Sequence, residues 1–91
     1  MPRPRLRRRI CHSPKIFFFK PQGIPLNELE YIELNKEELE SLRLTEKLDL
    51  EQIQAAKKMN TSQSTFQRIL SSARKKIALA IVEGKAIRIE Q

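Results

Sequence analysis

The chain has 91 residues, 40% of them apolar, with five prolines and two glycines; that is room for one small folded domain and too little for a second core. Its formal charge of +7 and pI near 10.0 favour a polyanionic partner. A single cysteine forms no internal disulfide, the early apolar run Ile16 to Phe19 is too short for a signal-peptide core, and no segment approaches the ~20 apolar residues that span a bilayer. A cytoplasmic location without membrane insertion is expected.

The charge is unevenly spread. Residues 1–20 hold five Arg and two Lys without an acid, residues 21–53 hold nine acids against three bases, and residues 54–91 hold eight bases against two acids. Two basic ends around an acidic middle imply two surfaces suited to a polyanion, and a third that repels it or meets a different partner.

Residues 1–15 read as an extended basic arm, because Pro2 and Pro4 fix their own backbone and restrict the residue before each. Arg3, Arg5, Arg7, Arg8 and Arg9 suit a narrow minor groove, where the negative potential is enhanced. The plainer reading is a solubilising tail with nonspecific phosphate affinity. Cys11 and His12 have no other Cys or His to complete a metal site, and adjacent side chains on an extended segment point to opposite faces, which a nucleophile and its base cannot do. No metal, cofactor or catalytic activity is expected.

The remainder, 16–91, reads as one domain. Residues 16–19 predict a short strand before a Pro- and Gly-rich loop, with Phe17 and Phe19 on one face and Phe18 left for another element, a subunit or a nucleobase. Residues 30–34 and 86–90 alternate as two further strands. The three can pair with one another, and the last can equally pair across a dimer.

A helix is predicted near 36–47. Asn35 and Glu38 form a capping box, Leu34 and Leu39 a hydrophobic staple, and Leu39 and Leu42 the inner face, leaving Lys36, Glu37, Glu40 and Arg43 to a salt-bridged surface. A second helix is predicted near 50–59, capped by Asp49 with Gln52 returning the bond and Leu48 stapling Ile53. Ala55, Ala56 and Met59 carry its buried face, and Asn60 ends it as a residue that tolerates the left-handed conformation. Ser62 then caps a third helix near 63–82, whose core stripe is Phe66, Ile69, Leu70, Ala73, Ile77, Ala80 and Ile81. Its polar face carries Gln63, Ser64, Gln67, Arg68, Ser71, Arg74 and Lys75, and Gln and Arg have the planar paired donors suited to base edges and phosphates. Two such helices across a tight joint read as a helix-turn-helix, although any amphipathic pair with a solvated face shares the pattern.

These segments together resemble the UPF0251 family of small archaeal and bacterial proteins: RPR at 3–5, RRI at 8–10, FKPQGIPLNELE at 19–30, LNKEELESLRL at 34–44, AAKKMNTSQSTFQRILSSARKKIA at 55–78 and GKAIRIE at 84–90. The resemblance covers nearly the whole chain. It implies DNA binding through a module like region 4 of bacterial sigma factors, with Ala56 as the small residue of the first helix, Ser62 as cap, and Gln63, Ser64, Thr65, Gln67 and Arg68 facing the major groove. The chain departs from the family pattern at Asn60 and Gln67, where Gly is usual, at Gln63, where Arg is common, and at Thr61, where an aliphatic is usual.

The fold class expected is therefore mainly α with small terminal β elements, a three-helix module plus the N-terminal arm. The expected function is a sequence-specific transcriptional regulator that binds double-stranded DNA as a homodimer, with Lys57, Arg74 and Lys75 joining the arm on phosphate or groove walls. Two alternatives stand beside it: a module that contacts RNA polymerase through its acidic face, and an RNA-binding protein that uses the Phe run and the arm.

Overall fold

The computed structural model describes residues 18–90. In chain order these form β1 (Phe18–Phe19), a 3-10 turn (Leu26–Glu28), β2 (Tyr31–Leu34), α1 (Lys36–Leu42) with a π-helical continuation (Arg43–Lys47), α2 (Gln52–Lys58), α3 (Gln63–Glu83) and β3 (Ala86–Ile89). The fold is mainly helical, with small strands near its two ends. The arm, Phe17, Cys11 and His12 lie outside the described residues.

The strands form one sheet in the order β1-β3-β2. β1 runs antiparallel to β3, with Phe18 opposite Arg88 and Phe19 opposite Ile87. β2 runs parallel to β3, from Tyr31 beside Ala86 to Leu34 beside Ile89. Parallel neighbours need a crossover, and here all three helices make it. Because β3 is the middle strand, paired on both sides, it is no edge for a second copy to extend, which corrects the expectation that it could pair across a dimer.

α3 is the spine. α1 and α2 both pack on it, and Leu44, Ala55, Ala56, Phe66 and Leu70 form one buried cluster with Leu42, Leu50 and Met59 at its margin. Alanines at 55, 56 and 73 let the helices approach closely. Further along, Ala80, Ala86, Ile89 and Leu34 are buried where the sheet meets the helix.

Four local expectations are corrected. Asp49 does not cap α2: the chain leaves the π-helical turn through Leu48 N–H to Arg43 O and Leu50 N–H to Leu44 O, both 3.0 Å, which sets Asp49 at φ 58°. An N-cap needs extended backbone, and Glu51 has it, with the Gln54 side chain accepting from its amide at 3.3 Å. Leu48 and Ile53 stay exposed rather than closing as a staple. In α1 the fully buried positions are Glu38 and Ser41, with Leu39 and Leu42 only half-buried, because α1 meets α3 through polar partners. Ile81 is not core: it is 72% exposed, since α3 there has run past α1 and α2 and the two-residue β1 does not reach over it.

The capping box at Asn35 forms as expected, with Asn35 N–H to Glu38 Oε1 at 2.9 Å and Glu38 N–H to Asn35 Oδ1 at 2.8 Å. At the end of α2, Asn60 N–H reaches Lys57 O and Thr61 N–H reaches Ala56 O, both 3.0 Å, around Asn60 at φ 60°. This is a Schellman closure with Asn in the left-handed position. Asn60→Ala is therefore expected to destabilise the fold by about 1 kcal/mol, since alanine lacks the local hydrogen bonding that eases αL. Urea unfolding would read it, and an unchanged midpoint would contradict it.

Candidate nucleic-acid interface

Between Lys58 and Gln63 the chain turns in four residues and restarts. Ser62 has extended backbone and its Oγ accepts from Thr65 N–H at 3.2 Å, so α3 begins with its first-turn amides pointing outward. Phe66, fully buried, fixes the rotation of α3 about its axis. With 100° per residue, a helix pinned at Phe66, Leu70 and Ala73 must turn Ser64, Arg68, Ser71 and Lys75 to the opposite side.

The structure places them so. Gln63, Ser64, Thr65, Gln67 and Arg68 are all exposed on the first turn and a half of α3, with Ser71, Arg74 and Lys75 following on the same helix. Lys57 is exposed at the end of α2, and Lys58 beside it belongs with the group, though the sequence reading passed over it. From Gln52 to Val82 the chain holds Lys57, Lys58, Arg68, Arg74, Lys75 and Lys76 and not one acid. Arg74 differs from its neighbours: its guanidinium pairs with Glu46 on the π-helical turn through Nη2 at 2.5 Å and Nε at 3.1 Å. Both side chains are about half exposed, so the pair is weak and its carboxylate subtracts from the local positive field. The five arm arginines lie outside the described residues.

What holds this face outward was only partly foreseen. Glu38, 3% exposed, accepts from Ser72 Oγ at 2.5 Å, from Lys76 Nζ at 2.9 Å and from the Asn35 amide. Lys76 Nζ also donates to Glu33 O at 3.0 Å, tying α3 to β2. Burial alone would raise the Glu38 pKa, but the hydrogen bonds from Lys76, Ser72 and Asn35 and the Lys76 charge outweigh it and hold the carboxyl below its ordinary value. The sequence signal was present, since Ser72 and Lys76 stand four apart on the flank of α3 that faces α1, yet spacing alone could not say which acid they meet. A second unforeseen contact joins β3 to β2: Arg88 lies over the Tyr31 ring, 5.7 Å from its centroid, with Nη1 3.3 Å from the hydroxyl.

Fold and site together define a small helical domain, sheet-tied at its ends, that presents a basic and polar helix face. The chain matches, over residues 1–91, the family described as a protein of unknown function, DUF134. It is 56% identical over 90 residues to a UPF0251 protein of Dehalococcoides mccartyi, covering 99% of this chain and 77% of that one. Against UPF0251 proteins of Moorella thermoacetica and Halothermothrix orenii the identities are 52% and 47%, again over 99% of this chain, and 60% and 67% of theirs. The chain belongs to the UPF0251 family. No solved structure matches it. Among the described residues, no helix is long and apolar enough to cross a membrane.

Proposed function

We propose that the protein is a sequence-specific binder of double-stranded DNA and a transcriptional regulator, with α2 and α3 acting as a helix-turn-helix. The observation that carries this is the exposed, cationic face of the stretch from Lys57 through Lys75, which itself contains no acid, on two helices whose joint is closed by a Schellman turn and a serine cap. In this reading the N-terminal half of α3 enters the major groove. Arg68 and Gln63 reach base edges, with Ser64, Thr65 and Gln67 facing the same groove, while Lys57, Lys58, Lys75 and Arg74 lie against phosphate. The positive end of the α3 dipole adds to attraction at the same turn. The arm arginines would extend the footprint into the minor groove.

Lys75→Ala is expected to weaken binding to all duplexes alike and to lower the slope of log K against log salt by about 1. Fluorescence anisotropy across a salt series measures it; selective loss on one sequence would reassign Lys75 to base reading. Selection of bound duplexes from a random pool at stated salt tests the reading as a whole. Recovery of a shared sequence is expected, and recovery of none would oppose it.

A second reading has its own observation. Leu48 and Ile53 are exposed beside Asp49 and Glu51, an apolar spot with an acidic rim. Such a surface suits a basic protein partner, RNA polymerase among the candidates. Capture of polymerase subunits without any duplex binding would favour it over the first.

A further inference from the structure

Arg74 stands apart from the other cations of the α2 and α3 face. Among the described residues, Lys57, Lys58, Arg68 and Lys75 pair with no carboxylate, and Lys76 is committed to the buried Glu38. Arg74 instead meets an exposed acid: its Nη2 and Nε both donate to Glu46 Oε2, at 2.5 and 3.1 Å. The cation three residues before Glu46 on its own element, Arg43, gives Nε and Nη2 to Glu40 at 2.9 and 2.7 Å. Glu46 thus reaches from the π-helical turn to α3, 28 residues further along the chain. Both partners are 55% exposed, so the pair adds little stability, and α1 is already tied to α3 by Glu38. Its position is the informative part. Arg74 lies seven residues beyond Gln67 on one stripe of α3, about 10 Å along the helix from the groove-facing set.

We propose that Glu46 is a built-in competitor for backbone phosphate: it holds Arg74 in the free protein, and duplex binding exchanges the carboxylate for a phosphate at that guanidinium. The proposal rests on the reading of α3 as the groove-entering helix. A guanidinium binds carboxylate and phosphate through the same paired donors, so the two compete for one site. The weakness of an exposed pair is what makes the exchange feasible. Its consequence is electrostatic. When Arg74 reaches a phosphate it releases a cation from the duplex, but the freed Glu46 recruits one from solution, and the two nearly cancel. Arg74 therefore adds little to the salt dependence of wild type, whereas without the Glu46 charge it counts as a full phosphate contact. Glu46 in this way lowers the affinity for every duplex and leaves discrimination to the base-reading side chains.

Fluorescence anisotropy on a selected and a random duplex, from 0.05 to 0.3 M salt, tests the exchange in the full chain. Glu46→Gln is expected to bind both duplexes more tightly and to steepen log K against log salt by about 0.9, which corresponds to roughly 8-fold at 0.1 M relative to 1 M. Glu46→Ala, a second removal of the charge, should give the same slope. Urea midpoints should stay at the wild-type value, since a merely structural pair would move the midpoint and not the slope. With Ala at position 74 the gain from Glu46→Gln should shrink. Wild-type affinity and slope in both Glu46 variants would overturn the proposal, as would a gain confined to the selected duplex or one as large in the Arg74→Ala background. Those outcomes leave wild-type binding intact and so spare the reading of α3. Folded wild type and variants that bind neither duplex overturn that reading and the exchange together.

Discussion

Glu38→Ala is expected to destabilise the fold by about 3 kcal/mol, which for a domain of this size lowers Tm by roughly 12 to 24 °C. The carboxylate is the common acceptor for Ser72, Lys76 and the Asn35 amide. Removing it leaves two part-buried donors and a helix cap without their acceptor together, and breaks the tie between α1 and α3. Lys76 is about one-third exposed and can recover some hydration, which is why the expected effect sits at the lower end of that for a broken buried pair. A loss under about 1 kcal/mol in urea would show that the hub contributes no more than an ordinary surface pair.

The same group sets an acid limit. Its folded pKa is depressed, so the stability it contributes is fully present above the unfolded value of about 4.3 and is lost as pH falls through the folded value. Glu38→Gln keeps the shape and removes this titration, so its stability should fall less steeply than that of wild type between neutral pH and the acid range. Parallel pH profiles would remove Glu38 from the account of acid unfolding.

Arg68→Ala is expected to weaken binding to the selected duplex by about 1 to 3 kcal/mol, roughly 5- to 150-fold, and to relax preference at one base position. Arg68 is exposed, lies opposite buried Phe66 and Leu70, and is paired with no carboxylate among the described residues. Its guanidinium is therefore available for the paired acceptors of a guanine edge. Arg74, engaged by Glu46, should matter less, and its alanine variant is the natural control. Equal losses for Arg68→Ala on selected and random duplex would make it a phosphate contact.

Much of this was legible in the chain itself. The stripe Phe66, Leu70, Ala73, Ala80 and the caps at Asn35 and Ser62 are local patterns, and local patterns determine which way α3 faces. Two kinds of feature were not. The helix exit at Asp49 depends on a π-helical turn, where hydrogen bonds five and six residues apart replace the usual four, and a capping residue reads the same in either frame. The inner face of α1 and Ile81 were misplaced for a shared reason: which helical face is buried depends on how far the neighbouring elements reach. α1 meets α3 through Ser72 and Lys76, so an acid is buried there, and the sheet covers the last turn of α3 only on its Ala80 side, so Ile81 is not buried.

The most direct test is a backbone-amide NMR titration of the full chain with a duplex from the random-pool selection. The account predicts the largest, saturable shifts at Gln63 to Arg68, smaller ones at Lys57, Lys58 and Lys75, and little change along α1. Shifts confined to α1 and the Leu48–Ile53 region, or none at stoichiometric duplex, would contradict it.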